Sequence, residues 1–326
     1  MLHFTKLEYL TIKIKNMNLK TERRIGYEIS AEMKKVWAVE MELLRKLLDV
    51  CEKYDLKIWA EGGTLLGAVR HKGYIPWDDD IDMAMPRKDY DKLREIAKKE
   101  FKAPYFFQCG YTDQYPHGQT KIRMDKTSAI LSGDIFQKFH QGIFIDVFPL
   151  DCLPDDPNVY RTFKRTRNQM KKKLESYCKH YFSFTDWHHN IETLKVLFYI
   201  KKVGFNNFFK LYDEYVKSYS NKECKRISII SWNGEEKYIR EKEWYKETIY
   251  MQFENMLIPV PYDYHAILSK QYGNYMTPSK APNEHGYFAV LDPGQDYKIL
   301  LPFLRKKHRW DLMKARWSNL SKRVKF

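Results

Sequence analysis

At 326 residues and 44% hydrophobic content, the chain is long enough to bury one large globular domain, or one domain with a helical appendage. Lys and Arg outnumber Asp and Glu by 57 to 42, a formal net charge of +15, which favours anionic partners: nucleotides, polyanionic glycans, anionic lipid or nucleic acid. The five cysteines, Cys51, Cys109, Cys152, Cys178 and Cys224, are widely spaced and form no Cys-x-x-Cys pair, which argues against a disulfide framework and a structural zinc site and fits a reducing cytoplasm. The chain shows neither an apolar run of about 18 residues nor the hydrophobic region of a signal peptide at its N-terminus.

Residues 1–24 are basic and mixed in pattern, with little to pack, and read as an N-terminal extension. Over residues 31–54 an apolar stripe, Ala31, Val36, Val39, Leu43, Leu44, Leu47, Leu48 and Cys51, predicts a helix with Ser30 as its N-cap. Leu56, Ile58 and Trp59 predict a short strand. The most informative stretch follows at residues 61–82, EGGTLLGAVRHKGYIPWDDDID.

Gly62 and Gly63 let backbone amides approach an anion, and amides that open a helix attract negative charge; Thr64 adds a hydroxyl. Leu65, Leu66, Ala68 and Val69 continue that helix to the cations Arg70, His71 and Lys72, and Gly73 and Pro76 break it. Asp78, Asp79 and Asp80 come next. Strand alternation through Asp80, Ile81 and Asp82 would turn two carboxylates to one face with Ile81 packed behind them, a site for a hard divalent ion, Mg²⁺ or Mn²⁺. A solvated acidic turn is the plainer alternative, but it requires neither the intervening Ile81 nor the glycine pair upstream.

Pro86–Lys99 predicts a helix with Tyr90, Leu93, Ile96 and Ala97 on one face, and residues 104–131 predict short strands, in one of which Lys121 and Arg123 share a face. Residues 142–150, GIFIDVFPL, are an apolar run holding one carboxylate, Asp146, which burial makes costly unless it is paired or bound to metal. Asp151, just beyond, reads as the approach to a helix. Residues 157–220 turn Lys-rich and aromatic with helical periodicity, predicting two or three helices. In them Leu194, Leu197, Phe198, Phe205, Phe208 and Phe209 read as a core face rather than a membrane-touching one. His188 and His189 are adjacent and so do not form a metal pair. The last 22 residues carry nine Lys or Arg and a single acid, and Trp310, Met313, Trp317, Leu320 and Val324 recur at helical spacing. This basic amphipathic helix, 305–326, fits docking on an anionic membrane as well as on the core.

The run GGTLLGAVRHKGYIPWDDDID resembles the signature of the LicD family of phosphocholine transferases, an outlying branch of the polymerase-beta-type nucleotidyltransferase fold. The resemblance begins near Gly26, which points to Met17 as the true start, and it implies an α+β fold: a nucleotidyltransferase-like mixed sheet with flanking helices and an added helical subregion. The implied domains are a catalytic core over 25–156, a helical subregion over 157–242 and a closing segment over 243–304. In that segment a strand pair holding Phe253, Ile258 and Val260 leads to a helix ending near Tyr272. Glu254, on the first strand, is a supporting acid or a surface residue, and His285 a weak candidate.

By the same resemblance Asp80, Asp82 and Asp146 are the catalytic carboxylates and hold the metal, Asp146 being the favoured base. Gly62, Gly63 and Thr64 cradle phosphate; Arg70, Lys121 and Arg123 neutralise its charge; His71 assists or supports the loop. The implied reaction moves a phospho-alcohol group, phosphocholine or similar, from a CDP-linked donor such as CDP-choline or a CDP-alditol to a hydroxyl of a cell-surface glycan or glycolipid, releasing CMP. A lipopolysaccharide, teichoic-acid-like polymer or capsular repeat would be the acceptor, and the enzyme would work in the cytoplasm, at the inner face of the membrane. The nearest alternative is a nucleotidyltransferase that releases pyrophosphate. A non-catalytic protein binding nucleic acid or an anionic surface is disfavoured, since the best-organised residues are acids, which repel polyanions.

Overall fold

The computed structural model describes residues 17–178, 186–220, 223–230, 236–278 and 288–323, side chains 312, 313 and 315–323 excepted. The stripe after Ser30 forms helix α1, Ala31–Lys53, and Ser30 Oγ accepts from Met33 N at 3.1 Å. Its Trp37, Leu43, Leu44 and Leu47 are fully buried and join the main core beneath the sheet. Before it, β1 (Glu22–Arg24) and β2 (Tyr27–Ile29) pair as a hairpin. Residues 17–24 are thus not an unpacked extension: Arg24 donates to both carboxylate oxygens of Glu254, at 2.5 and 2.9 Å, and Met17 packs on the core.

The central sheet has seven strands, and its spine is β8, Phe144–Cys152, which is buried throughout. Beside it lies β4 (Asp82–Pro86), parallel, followed by β3 (Trp59–Ala60), antiparallel to β4. The first half of the spine also pairs with β6 (Thr120–Met124), which pairs with β5 (Tyr105–Gln108). Helix α2 (Gly62–His71) joins β3 to β4, helix α3 (Arg87–Glu100) follows β4, and a single-turn α4 (Gly110–Asp113) follows β5. A further strand, β7 (Ser128–Leu131), lies off this sheet.

Three helices follow the spine: α5 (Pro157–Cys178), α6 (Trp187–Val203) and α7 (Phe205–Val216). The expected apolar face divides between two of them. Phe205, Phe208 and Phe209 of α7 are buried in a second core, whereas Leu194 and Phe198 of α6 are 49% and 78% exposed. The subregion does not run unbroken to residue 242 either, because β9 (Arg226–Ser228) and β10 (Ile239–Glu241) return to extend the sheet from the end of the spine. That pairing brings Cys152 and Cys224 together, 72 residues apart in sequence, and they form a disulfide, contrary to the reading of the cysteines as unpaired. Asp151 is likewise no helix approach. It lies within β8, fully buried, and accepts from Arg87 Nε and Nη2 at 2.5 Å, while Arg87 and Arg94 of α3 also reach Asp213 of α7. This buried network fastens the helices to the core.

The closing segment follows the expected order. β11 (Thr248–Phe253) and β12 (Met256–Pro261) form a hairpin leading to α8 (Tyr264–Tyr272). Glu254, however, sits in the hairpin turn with φ 51°, held by Arg24 and by Tyr74 N at 3.1 Å. β13 (Phe288–Asp292) pairs with β7, and α9 spans Tyr297–Arg323, beginning well before residue 305. Tyr297 and Leu301 anchor α9 on Ile130 and Ile135. His285, Val324 and the side chains of Met313, Trp317 and Leu320 lie outside the described residues.

Candidate active site

The site forms where α2 begins beside the ends of β4 and β8. Gly62 takes φ 50°, in the left-handed region that glycine tolerates, and a Cβ on Gly63 would lie 2.5 Å from Asp78 Oδ2. Glycine at 63 therefore admits a carboxylate against the first turn of the helix. Glu61, the N-cap residue, does not cap that turn with its side chain; its carboxylate is clasped by the Arg240 guanidinium of β10, both groups being fully buried. The N-cap side chain is thus turned away from the first-turn amides, at a helix end whose dipole favours negative charge. Thr64 Oγ1 accepts from Asp82 N at 2.8 Å, so its oxygen fastens α2 to β4 while its proton can still be donated.

Strand β4 begins at Asp82 and not, as alternation suggested, at Asp80. The ladder nevertheless reaches one residue further back, because Asp146 N donates to Ile81 O at 2.8 Å, and Ile81 is fully buried as expected. Asp82 and Asp146 face each other in the parallel register of β4 and β8, and Lys121 faces Asp146 from β6. Lys121 Nζ donates to Asp146 Oδ2 at 2.5 Å. The other oxygen, Oδ1, is buried and accepts no hydrogen bond among the described residues. One oxygen from each of Asp78, Asp79 and Asp80 lies within 4.8 Å of the others, a spacing that can enclose one ion. The structure thus adds Asp78 and Asp79 to Asp80, with Asp82 a charge neighbour of Asp78, Asp80 and Asp146.

The electrostatics are those of crowded carboxylates. Burial, then Asp80, Asp146, Asp78 and Glu61, hold the Asp82 carboxyl well above the usual range; burial, Asp80 and Asp79 do the same to Asp78. A hard divalent cation fits this donor set, which combines close oxygens, like-charge repulsion and a buried Asp146 oxygen without a donor. Beneath the acids, Trp37 Nε1 donates to Asp78 O at 3.0 Å and stacks on Tyr74, whose hydroxyl donates to Glu40 Oε2 at 2.9 Å. Burial and the three aspartates push the Glu40 carboxyl well up, against the lowering effect of the Tyr74 hydrogen bond.

Not every expected residue gathers here. Arg123 is buried and uses Nε on Gln108 Oε1 and Nη1 on the Gly142 carbonyl, with Phe144 under its guanidinium. It ties β5, β6 and β8 together and is at the same time a charge neighbour of Lys121 and Asp146. Arg70 and His71 sit at the opposite end of α2 from Gly62, about 12 Å along the axis. Arg70 donates to Tyr275 O and to His71 Nε2, at 2.7 and 2.8 Å, and His71, lowered to about 4 by burial and by Arg70, is neutral.

Three participants escaped the sequence reading. Glu40 left a signal, because an acid stands on the apolar stripe between Val36 and Leu44. Arg240 left none, lying 179 residues from Glu61. Tyr272, at the end of α8, accepts from Gln271 Nε2 at 3.1 Å, and burial, Glu61 and Asp82 push its phenol well up.

Residues 55–186 match the family described as LicD/FKTN/FKRP, nucleotidyltransferase domain. Over that segment the chain is therefore similar to the LicD-type phosphotransferases. The lipopolysaccharide cholinephosphotransferase LicD of Haemophilus influenzae is 28% identical over 253 residues, 75% of this chain and 93% of that protein. Over 59 residues the chain is 37% identical to the human ribitol 5-phosphate transferase FKRP, but this covers only 18% of the chain and 12% of FKRP. An uncharacterised protein of Rickettsia prowazekii is 42% identical over 74 residues.

Proposed function

We propose that the protein transfers a phospho-alcohol group, phosphocholine or an alditol phosphate, from a CDP-linked donor to a hydroxyl of a cell-surface glycan or glycolipid. The observation that carries this reading is the pairing of Asp82 with Asp146 beside the Asp78–Asp80 group, at the glycine-opened end of α2. Asp78, Asp79, Asp80 and Asp82 would hold Mg²⁺ or Mn²⁺, which when bound supplies positive charge against the donor's diphosphate. The first-turn amides of α2 and the Thr64 hydroxyl bind phosphate oxygens, and Lys121 adds charge.

Asp146, whose Oδ2 is occupied by Lys121, offers Oδ1 to the acceptor hydroxyl and takes its proton. The acceptor oxygen bonds to the donor's distal phosphorus, and the bond between that phosphorus and the bridging oxygen breaks. CMP leaves with the electron pair, so the acceptor carries a phosphodiester. Arg70 and His71 act from the far end of α2 as supports for Tyr275 and the following loop. The protein would work on the cytoplasmic face of the membrane, contacting lipid through 305–326, where Trp310 is exposed beside Lys306, Lys307 and Arg309.

The test is Mg²⁺-dependent turnover of CDP-choline, CDP-ribitol, CDP-glycerol and CTP, with and without a glycan acceptor. CMP from one diphospho donor, lost in Asp82→Asn, supports the reading and identifies the group moved. Pyrophosphate from CTP would instead establish nucleotidyl transfer.

A further inference from the structure

Helix α6 carries an apolar stripe on the side turned away from the protein. Trp187, Ile191, Leu194 and Phe198 are 76%, 49%, 49% and 78% exposed. Successive helical residues turn by about 100°, so these four fall within about 60° of arc. Thr193 and Ile200, the buried residues of α6, lie on the opposite side, packed between α5 and α7. The stripe is therefore a second apolar face, distinct from the one that holds the helix in the fold. A tryptophan and a phenylalanine left this open are costly in water unless something covers them.

The surrounding charge identifies the cover. By the same helical geometry Lys201 lies just to one side of the stripe and Lys202 to the other, both exposed, with Lys195 beyond Lys202 and paired with Glu192 at 2.7 Å. On the neighbouring helix α5, Lys172 and Lys173 are exposed as well, and Lys173 Nζ stands 5.4 Å from the Tyr199 ring. Trp, Phe and Leu flanked by lysines suit a helix lying in the headgroup layer, where the rings enter the acyl boundary and the ammonium groups meet lipid phosphates. A second copy of the chain, packed stripe to stripe with the two helices parallel, would bring the same lysines against each other.

We infer that this face of α6 docks on an anionic bilayer. α6 packs on α7, and Asp213 of α7 joins Arg87, Arg94 and Asp151 in the buried network that reaches the central sheet. Docking follows from α6 alone and stands whether or not the phosphotransfer reading holds; where that reading does hold, the acceptor class it favours is a lipid-borne glycan presented at the same surface.

The experiment is co-sedimentation of the full-length chain with vesicles of phosphatidylcholine alone and of phosphatidylcholine mixed with phosphatidylglycerol, read beside light scattering without lipid. The protein is expected to pellet with the anionic vesicles, less so in high salt. The double variant Trp187→Glu, Phe198→Glu should partition at least tenfold less while keeping the circular dichroism and melting point of the parent, because neither side chain touches the core. Lys201→Glu with Lys202→Glu should weaken the preference for phosphatidylglycerol. The proposal is overturned if the parent ignores anionic vesicles, or if the Trp187, Phe198 variant pellets as well as the parent, which would assign binding to α9. A parent dimer that this variant abolishes would overturn it in favour of a second copy.

Discussion

Asp82 and Asp146 stand opposite each other across two parallel strands, and the next strand over places Lys121 on Asp146 alone. The two carboxylates are therefore unequal: one is held by an ammonium, the other faces acids. In Asp82→Asn, turnover should fall at least about a hundredfold, together with the rise in melting temperature that Mg²⁺ gives the parent. The same variant should melt higher than the parent in chelator, since an ionised Asp82 is opposed by burial and by four neighbouring acids. Asp146→Asn should lose turnover similarly yet keep most of the Mg²⁺ stabilisation. Calorimetric scans with Mg²⁺ and with chelator decide this, and an Asp146→Asn that loses all metal response would place Asp146 among the ligands instead.

Gly63→Ala is expected to separate chemistry from folding. Alanine is ordinarily better than glycine in a helix by about 1 kcal/mol, but here its Cβ would meet Asp78 Oδ2 at 2.5 Å. The displaced carboxylate should reduce turnover more than tenfold with little change in urea unfolding. Parent-like activity would show that Asp78 can move without consequence.

Arg240→Met leaves the fully buried Glu61 carboxylate without this guanidinium, immediately before the first turn of α2. The expected loss is about 3–5 kcal/mol of stability, read by urea unfolding. The double variant Arg240→Met, Glu61→Leu should recover much of it, because the uncompensated charge goes with the second substitution. Failure to recover would mean that Arg240 acts chiefly through Tyr245 or Gln271, which it also contacts.

His140 makes stability depend on pH in a defined direction. Burial holds its imidazole down to about 4 from an ordinary 6.5, although Asp125 sits 2.9 Å from Nε2. The unfolded chain takes up this proton near pH 6.5 and the folded chain only near 4, so the unfolded state binds more protons between those values. This contribution is fully present above pH 6.5 and is lost as pH falls toward 4. Glu40, Asp78 and Asp82, held high in the fold, push the other way, so the readout is the difference between parent and His140→Gln in urea unfolding at pH 7, 6 and 5. The variant's stability should fall less across that range.

The stretch from Glu61 to Asp82 determined a great deal by local chemistry alone. Glycines that open a helix, cations that end it, a break at Gly73 and Pro76, and buried Ile81 between acids are all consequences of neighbouring residues, and each is found where the sequence put it. Lone Asp146 in an apolar run was legible because burying an unpaired charge is costly. Tertiary pairing decided the rest. Strand register set Asp82 against Asp146 and Lys121 against Asp146, and it joined Arg123 to Gln108 of the neighbouring strand. Chain return brought Arg240 to Glu61, Arg24 to Glu254 and Cys224 to Cys152, partners separated by 179, 230 and 72 residues. It also divided one apolar pattern into the buried face of α7 and the open face of α6. Periodicity states which residues share a face of a helix; only the packing of neighbouring elements states which face is covered.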